Sequence, residues 1–199
     1  MKRTFCLITA AVCMTLAVSA CGPDVPPETN VSQKTQQFNE LMQRPDLDQA
    51  IARYEEMYQK VRAQITAIVP TLKWHLANPA TGASCGNDFA AVNADLRKDD
   101  AEVKGLANWM AEGNLPDSQW EQATQAVARI AQSYGFDNGE IVVNRPSNHE
   151  IVFHDQYRAE LNFGTAVNTT LLLRTGCHLT SEAKRRGTPA SPPTYGPRG

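Results

Sequence analysis

The last third of the chain alternates apolar and polar residues with a period of two, which is the spacing of a β-strand with one buried face. Two segments, 158–164 and 166–174, follow this pattern. The positions predicted to face inward are Ala159, Leu161, Phe163, Val167, Thr169, Leu171 and Leu173. Strands of this kind are typical of an antiparallel sheet that is exposed to solvent on one face and packed against helices on the other.

A pair of strands is expected just before this region. The segments "EIVVN" at 140–144 and "EIVFH" at 150–154 flank the turn-rich "RPSN" at 145–148, and this arrangement predicts a β-hairpin. Two further strand segments are expected earlier, in "TLKWHL" at 71–76 and "VKGLANWM" at 103–110. Together these segments predict a mostly antiparallel sheet.

A long amphipathic helix is predicted from Leu47 onward, because its apolar residues recur at steps of three and four. Asp46 is suited to cap its N-terminus, and Pro70 lies just past its end. A short helical turn over 35–43 is expected before it. The predicted buried stripe consists of Ile51, Tyr54, Tyr58, Val61, Ile65 and Ile68.

A second helix is predicted to begin near Pro116 and Asp117 and to stop at Gly135. Its buried side is expected to contain Trp120, Ala123, Val127, Ile130 and Tyr134. The sequence therefore predicts an α+β fold: a two-layer sandwich in which a mostly antiparallel sheet packs against two main helices, with one disulfide.

The N-terminus has the features of an export signal. Lys2 and Arg3 precede residues 4–18, which carry no charge, and this run is shorter than the roughly 20 apolar residues of a membrane-spanning helix. The following "VSAC", 18–21, resembles the bacterial lipobox, in which the cysteine is joined to diacylglycerol and becomes the first residue after cleavage. Lipidation of Cys21 is therefore expected. The alternative is an ordinary signal peptide with a chance cysteine near its end.

The cysteine count agrees with lipidation. The chain has five cysteines, Cys6, Cys13, Cys21, Cys85 and Cys177. Signal cleavage removes the first two and lipidation occupies the third, which leaves Cys85 and Cys177. In an oxidising compartment such a pair is expected to form a disulfide, and two buried free thiols are the alternative.

Four regions follow from composition. Residues 1–20 are expected to be the signal peptide, and residues 21–33 a lipidated flexible tether rich in proline. Residues 34–180 are expected to form a single α+β domain. Residues 181–199 contain little to bury and several helix breakers, so a disordered tail is expected there.

The charge balance argues against a nucleic-acid partner. The chain has 19 basic and 21 acidic residues, and removal of Lys2 and Arg3 with the signal gives a mature net charge of about −4. Nucleic-acid binding requires clustered positive charge to neutralise phosphates, and no basic stripe is present.

Two segments resemble catalytic motifs only superficially. In "HEIVFH", His149 and His154 are five residues apart in a predicted strand, so they are expected to face opposite sides rather than one metal ion. In "TGASCG", Cys85 could act as a catalytic nucleophile only with a base such as His178 nearby. A disulfide would leave Cys85 without the free thiol that this role requires. We therefore predict no catalytic residues, no metal ligands, no cofactor and no enzymatic activity.

Several short segments carry a resemblance to a known family. They are the lipobox ending at Cys21, "QRPDL" at 43–47, "VPTLKW" at 69–74, "SCG" at 84–86, "LPDSQW" at 115–120, "NRPSNHEIVFHD" at 144–155 and "RTGCHL" at 174–179. With these segments the sequence resembles the mycobacterial LppA-type lipoproteins over essentially its whole mature length. The resemblance implies a lipidated cell-envelope protein with a paired cysteine and a compact α+β domain. It implies no reaction.

These expectations place the domain on the outer face of the cell membrane, held in the bilayer by acyl chains such as palmitate on Cys21. We expect a surface or periplasmic interaction module whose partner is an envelope protein or a glycolipid. The alternative is a carrier of apolar ligands, with a pocket between sheet and helices. The aromatic residues available to line such a pocket are Trp74, Trp109, Trp120, Phe153, Tyr157 and Phe163.

Overall fold

The computed structural model describes residues 29–93 and 100–190. The helices are α1 (Thr29–Met42), α2 (Leu47–Ile68), α3 (Ala90–Asn93), α4 (Asp117–Ser133) and α5 (Ser181–Arg186), and a 3-10 helix spans Gly86–Phe89. The strands are β1 (Trp74–Asn78), β2 (Thr81–Ala83), β3 (Ala101–Gly105), β4 (Asn108–Glu112), β5 (Glu140–Arg145), β6 (Asn148–His154), β7 (Glu160–Thr165), β8 (Asn168–Arg174) and β9 (His178–Leu179). None of the helices described combines the length and the apolar character that a membrane span requires. The predicted signal peptide, Cys21 and residues 191–199 lie outside the described residues.

Six strands form an antiparallel sheet in the order β1-β4-β8-β7-β6-β5. The β5–β6 hairpin turns between Arg145 and Asn148, which confirms the predicted hairpin. Strand β3 lies off this path: it pairs with β2 and β9, and it meets β8 only where Gly105 pairs with Arg174. The predicted antiparallel sheet is therefore confirmed, with a small ribbon attached to it.

Helix α2 packs one face of the sheet with the stripe that the sequence predicts. Asp46 caps the helix in a capping box with Gln49, so the first turn is held by two reciprocal hydrogen bonds. Residues at the centre of the stripe are at most 2 % exposed; they are Tyr54, Tyr58, Val61 and Ile65. Ile51 and Ile68 are half-buried at its margins.

Helix α4 lies beside α2 on the same face. It begins at Asp117 and is followed by Gly135, whose φ of +84° is the left-handed conformation that glycine adopts without strain. The Trp120 ring stacks on Phe163 of β7 at 5.5 Å between centroids and on His149 of β6 at 4.9 Å. These contacts join the helix to the sheet and confirm the two-layer α+β architecture.

The alternation of β8 fails at Val167. Thr169, Leu171 and Leu173 are buried as predicted, but Val167 is 84 % exposed. Val167 lies in the β7–β8 turn, where the backbone N–H of Ala166 donates to the carbonyl of Asn168. The period of two holds only for residues in the ladder, so the prediction that Val167 faces inward is wrong.

The segment 103–110 contributes to two strands rather than one. Strand β3 ends at Gly105 and β4 begins at Asn108. Leu106, between them, is 2 % exposed, and its N–H donates to the carbonyl of Leu173 at 2.9 Å. The chain therefore bends at Leu106, which directs β3 away from the sheet path.

The ends of the domain differ from the sequence prediction. Helix α1 begins at Thr29, inside the predicted tether, and α5 occupies the start of the predicted disordered tail. Phe38 and Leu41 of α1 are fully buried, and Ala183 of α5 is 1 % exposed. The Thr180 hydroxyl accepts a hydrogen bond from the N–H of Ala183 and caps α5. Local composition predicts no regular structure in these two segments. They form helices because residues in them are buried against distant parts of the chain.

A second, smaller core surrounds the disulfide. Cys85 and Cys177 are bonded, with 5.2 Å between their Cα atoms, as the cysteine count predicts. The buried residues around the bond come from α1, the 3-10 helix, α3, β3, β9 and α5; they are Phe38, Leu41, Phe89, Val92, Ala101, Val103, Leu179 and Ala183. The disulfide thus lies inside an apolar cluster and joins the middle of the domain to its C-terminal end.

The contrast between Leu171 and Val167 can be measured. Leu171→Ala removes a fully buried side chain and is expected to lower the free energy of unfolding by about 2–5 kcal/mol. Val167→Ala is the matched control and is expected to change it by less than about 0.5 kcal/mol. Urea denaturation followed by circular dichroism measures both. Equal losses in the two variants would show that this turn is packed differently.

Loss of the disulfide is expected to destabilise the domain. Because the bonded residues are 92 positions apart, the bond closes a long loop, and replacing both cysteines by serine should cost about 2–5 kcal/mol. Denaturant unfolding of the wild type with and without reductant should show the same difference. Alkylation of both thiols in the unfolded wild-type chain without reductant would contradict the bond.

Candidate functional site

Residues 79–89 form an arm beside the open face of the sheet, the face without α2 and α4. The arm carries β2, Cys85 and the 3-10 helix. Strand β2 pairs with β3 from Thr81, opposite Gly105, to Ala83, opposite Val103. Since Cys85 is bonded to Cys177, both the ladder and the disulfide hold the arm against the domain.

Two adjoining clefts separate this arm from the sheet, and we call them together the arm cleft. One, next to the disulfide, has a volume of about 130 Å³. The other, beside β2, has a volume of about 260 Å³. Val103, Glu160 and Arg174 line both clefts and connect them.

The lining of the arm cleft is rich in charge. The charged residues that line it are Arg44, Asp88, Arg158, Glu160 and Arg174. Phe89 and Tyr157 add two aromatic rings near the disulfide. The half beside β2 is lined by smaller polar and apolar groups, among them Asn162 and Leu172. This surface suits a ligand that carries polar groups along an apolar frame.

Arg44 is part of the wall of the arm cleft. Its Nη1 donates to the carbonyl of Cys177 at 3.1 Å, and its Nη2 donates to Oε1 of Glu40 at 2.9 Å. The guanidinium also lies 4.7 Å from the centre of the Phe89 ring, within the range of a cation–π contact. Because its donors are used internally and its side chain is only 12 % exposed, Arg44 stabilises the wall.

Arg158 joins the arm to the sheet from a strained position. The Asp155 carboxylate accepts hydrogen bonds from the N–H groups of Tyr157 and Ala159, both at 2.8 Å, and forms a tight turn. Within this turn Arg158 has a φ of +66°, a conformation that costs free energy for a residue with a side chain. The turn directs its guanidinium to the carboxylate of Asp88 on the arm.

Gly176 allows the chain to pass very close to this turn. A Cβ at this position would lie 1.8 Å from the carbonyl oxygen of Tyr157, a distance that no side chain tolerates. Only glycine fits without a shift of the backbone. The floor of the arm cleft next to Cys177 therefore depends on this residue type.

Arg174 is the charged group that the arm cleft leaves available. It ends β8, directly opposite Glu160 of β7. Arg174 is exposed, and within 29–93 and 100–190 its side chain forms no ion pair or hydrogen bond. In that range the side chain of Glu160 forms an ion pair only with His154, whose Nε2 lies 3.8 Å from Oε2 of Glu160. A guanidinium and a carboxylate are thus both accessible to a polar ligand.

The hypothesis of a cysteine nucleophile is not supported by the site. Cys85 is bonded to Cys177 and has no free thiol. His178 is fully buried, and its Nδ1 donates to the carbonyl of Pro45 at 2.9 Å. Burial lowers the pKa of His178, which favours the neutral ring. His178, which follows Cys177 in the chain, therefore has a structural role.

The two histidines of "HEIVFH" face opposite sides of the sheet, as predicted. His149 is buried, with Nε2 3.1 Å from Oδ1 of Asp117 and Nδ1 2.9 Å from Oδ1 of Asn144. His154 is on the open face and about half exposed. The N–H of Ser147 and the His149 ring lower the pKa of Asp117, because both stabilise its carboxylate. In the described parts of the chain, no three His, Cys, Asp or Glu side chains are grouped to hold a metal ion.

The aromatic residues considered for an apolar pocket do not converge on one cavity in the described structure. Three lie in the main core, two are half-buried at the edge formed by β1 and β4, and one lines the arm cleft. The core residues are Trp120, Phe153 and Phe163, the edge residues are Trp74 and Trp109, and the cleft residue is Tyr157. The core positions among them support the helices, and only Tyr157 contributes to the candidate site.

Sequence reasoning missed most of the arm cleft. Arg44, Asp88, Arg158 and Arg174 are spread over the chain, and no motif marks them. The available signal was the disulfide, which predicts that the loop around Cys85 lies close to the end of the last long strand. The charges that converge there depend on the path of the chain.

Comparison with known proteins identifies the family. The family model LppA, described as a lipoprotein confined to pathogenic Mycobacterium, matches residues 24–181. The crystal structure of the lipoprotein LppA from Mycobacterium tuberculosis is similar with a TM-score of 0.64 and 15 % identity, over 86 % of this chain and all of that one. The crystal structure of a DUF4853 family protein from Actinomyces odontolyticus is similar with a TM-score of 0.50 and 12 % sequence identity. The match covers 69 % of this chain and 71 % of that one.

No curated protein matches the sequence. At these identities the two crystal structures show a shared fold, and none of the descriptions names a reaction or a ligand. The family model, in contrast, spans well over half of the chain and includes the disulfide, the arm and both main helices. The chain belongs to the LppA family of lipoproteins.

Proposed function

We propose that the chain is a lipid-anchored envelope protein on the outer face of the cell membrane, and that it acts by binding a partner in the arm cleft. Membership of a lipoprotein family supports the anchor, and the "VSAC" sequence designates Cys21 as the acylated residue. Two or more acyl chains hold a protein stably in a bilayer, whereas one holds it only marginally. The tether then carries the domain away from the surface.

The single observation that carries the binding role is the exposed, unpaired Arg174 between two connected clefts. A charge that is neither paired nor buried has no evident role in stability, because surface charges contribute little to it. The surrounding wall, in contrast, is held firmly by the disulfide and by the hydrogen bonds of the largely buried Arg44. A rigid wall around an available charge is what preorganised binding requires.

The apolar-carrier alternative has less support. The layer between sheet and helices is packed with side chains that are fully buried, such as Met57, Phe153 and Phe163. The clefts described above lie on the opposite face or beside the disulfide, and charged groups line them. An envelope protein segment or the polar part of a glycolipid fits this lining better than an aliphatic chain. A role in binding rather than in catalysis also agrees with the blocked Cys85.

Native mass spectrometry of the full chain extracted from envelope membranes tests the arm cleft. We expect an adduct or a co-purifying partner on the wild type, and its loss in Arg174→Glu because the charge at the cleft is reversed. Arg145→Glu is the matched control: it makes the same charge change at the exposed end of β5, in the same sheet and away from the cleft. Identical spectra for all three proteins would contradict the proposed site.

The anchor is tested separately. Cys21→Ala removes the acylated sulfur, so the protein is expected to leave the membrane fraction or to remain unprocessed. Membrane fractionation and metabolic labelling with palmitate measure the two outcomes. Unchanged fractionation with unchanged labelling would refute lipidation at Cys21 and would leave the arm cleft proposal intact.

A further inference from the structure

Four buried polar atoms without partners lie together where α2 passes the edge of the sheet. They belong to Tyr58, Arg62, Trp74 and Trp109. The described residues contain five buried side-chain polar atoms that lack a hydrogen-bond partner, and four of the five are in this cluster. Buried polar groups in proteins are nearly always paired, so such a concentration requires an explanation.

The register of the sheet places Trp74 and Trp109 near each other on neighbouring strands. Strand β1 pairs with β4 so that Trp74 is opposite Ala111 and Leu76 is opposite Trp109. Trp74 and Trp109 are therefore diagonal neighbours on the face that packs against α2, and both are half-buried. Leu76, at the edge of this face, is 53 % exposed, so the cluster adjoins the surface.

Arg62, on α2, covers the indole of Trp109. Its guanidinium lies 3.7 Å from the centre of the Trp109 ring and 5.9 Å from that of Tyr58, one helical turn earlier. No carboxylate in the described residues forms an ion pair with Arg62. Burial lowers its pKa, and the charges of Glu55 and Tyr58 only oppose this effect. The guanidinium is therefore partly desolvated, stacked on an aromatic ring and without an ion-paired carboxylate in the described residues.

The unpaired atoms share one chemistry. The Nη1 of Arg62 and the Nε1 atoms of Trp74 and Trp109 can only donate hydrogen bonds, and the Tyr58 hydroxyl can donate as well. One of the four groups carries a positive charge. A site with several unpaired donors, one of them on a cation, is complementary to an oxyanion.

We propose that Arg62, Trp74, Trp109 and Tyr58 form a binding site for a phosphate-type oxyanion. The free phosphate ion and the phosphodiester of a lipid headgroup offer the same acceptor oxygens and negative charge. The unpaired atoms have almost no solvent contact, so binding includes a side-chain shift at the rim, next to exposed Leu76. This site is on the opposite face of the sheet from the arm cleft, and the proposal does not rest on that cleft.

Arg53 provides a matched control on the same helix. Its guanidinium also lies over a tyrosine ring, 5.8 Å from the centre of Tyr134. Its Nη2, however, donates to the carbonyl of Tyr134 at 2.7 Å, so this arginine is satisfied within the protein. Arg53→Gln and Arg62→Gln thus remove the same charge from α2 and differ in whether an unpaired donor is lost.

The test is a ³¹P NMR titration of the full chain, purified in a neutral detergent, at constant ionic strength. The probes are inorganic phosphate, dihexanoyl phosphatidylglycerol and, as a lipid without net charge, dihexanoyl phosphatidylcholine. We expect saturable binding of phosphate or of phosphatidylglycerol to the wild type. Arg62→Gln should weaken it by about tenfold or more, because hydrogen bonds to a charged group are the strong ones. The affinity of Arg53→Gln should stay within about twofold of the wild-type affinity.

Two additional variants keep the test decisive if Arg62→Gln does not fold. Arg62→Lys retains the positive charge but loses the planar guanidinium with its several N–H donors. Trp109→Phe retains an aromatic ring but loses the indole N–H donor. Both variants should therefore bind the probes more weakly. Saturation by inorganic phosphate supports a site for the free ion. Saturation by phosphatidylglycerol alone supports a headgroup site. The proposal would be overturned if neither inorganic phosphate nor phosphatidylglycerol binds saturably. Equal binding by the wild type and the folded Arg62 and Trp109 variants would also overturn it.

Discussion

The Cys85–Cys177 bond is the constraint on which the second core and the arm cleft depend. The apolar cluster around it is small and draws its residues from segments at both ends of the domain. This cluster packs a loop, short helices and a two-residue strand together. The covalent link reduces the conformational freedom of the unfolded chain, so the same few contacts suffice. The arm can then stand beside the sheet and leave a cleft.

The main core has a different origin. It rests on a regular sheet whose inward residues alternate and on two helices whose apolar stripes match it. Because this layer is closed by side chains that pack between helices and strands, the surfaces left for recognition are the open face and the two edges of the sheet. The arm occupies part of the open face, and Arg62 covers the inner face beside the β1 edge. Both candidate sites thus lie where the regular packing ends.

Arginines in this protein illustrate how one residue type takes several roles. Arg44 donates to backbone carbonyls and contacts Phe89, so it acts as part of the wall. Arg158 ties the arm to the sheet from a left-handed turn. Arg174 and Arg62 have no ion pair in the described residues, one in an exposed cleft and the other over an indole. The mature chain is expected to be acidic overall, so the proposed binding of a negatively charged group relies on these local placements rather than on net charge.

The sequence by itself determined the strands with period two, the two capped helices, the β5–β6 hairpin and the pairing of Cys85 with Cys177, because each depends on local spacing or on cysteine arithmetic. It also predicts acylation at Cys21, which lies outside the described residues. Only the tertiary structure decided that Val167 leaves the ladder, that Leu106 separates β3 from β4, and that α1 and α5 are ordered. The same holds for the charges of the arm cleft and for the donors around Arg62. Apart from the turn at Val167, these features arise from contacts between residues far apart in the chain, whose energies no local pattern of residues encodes.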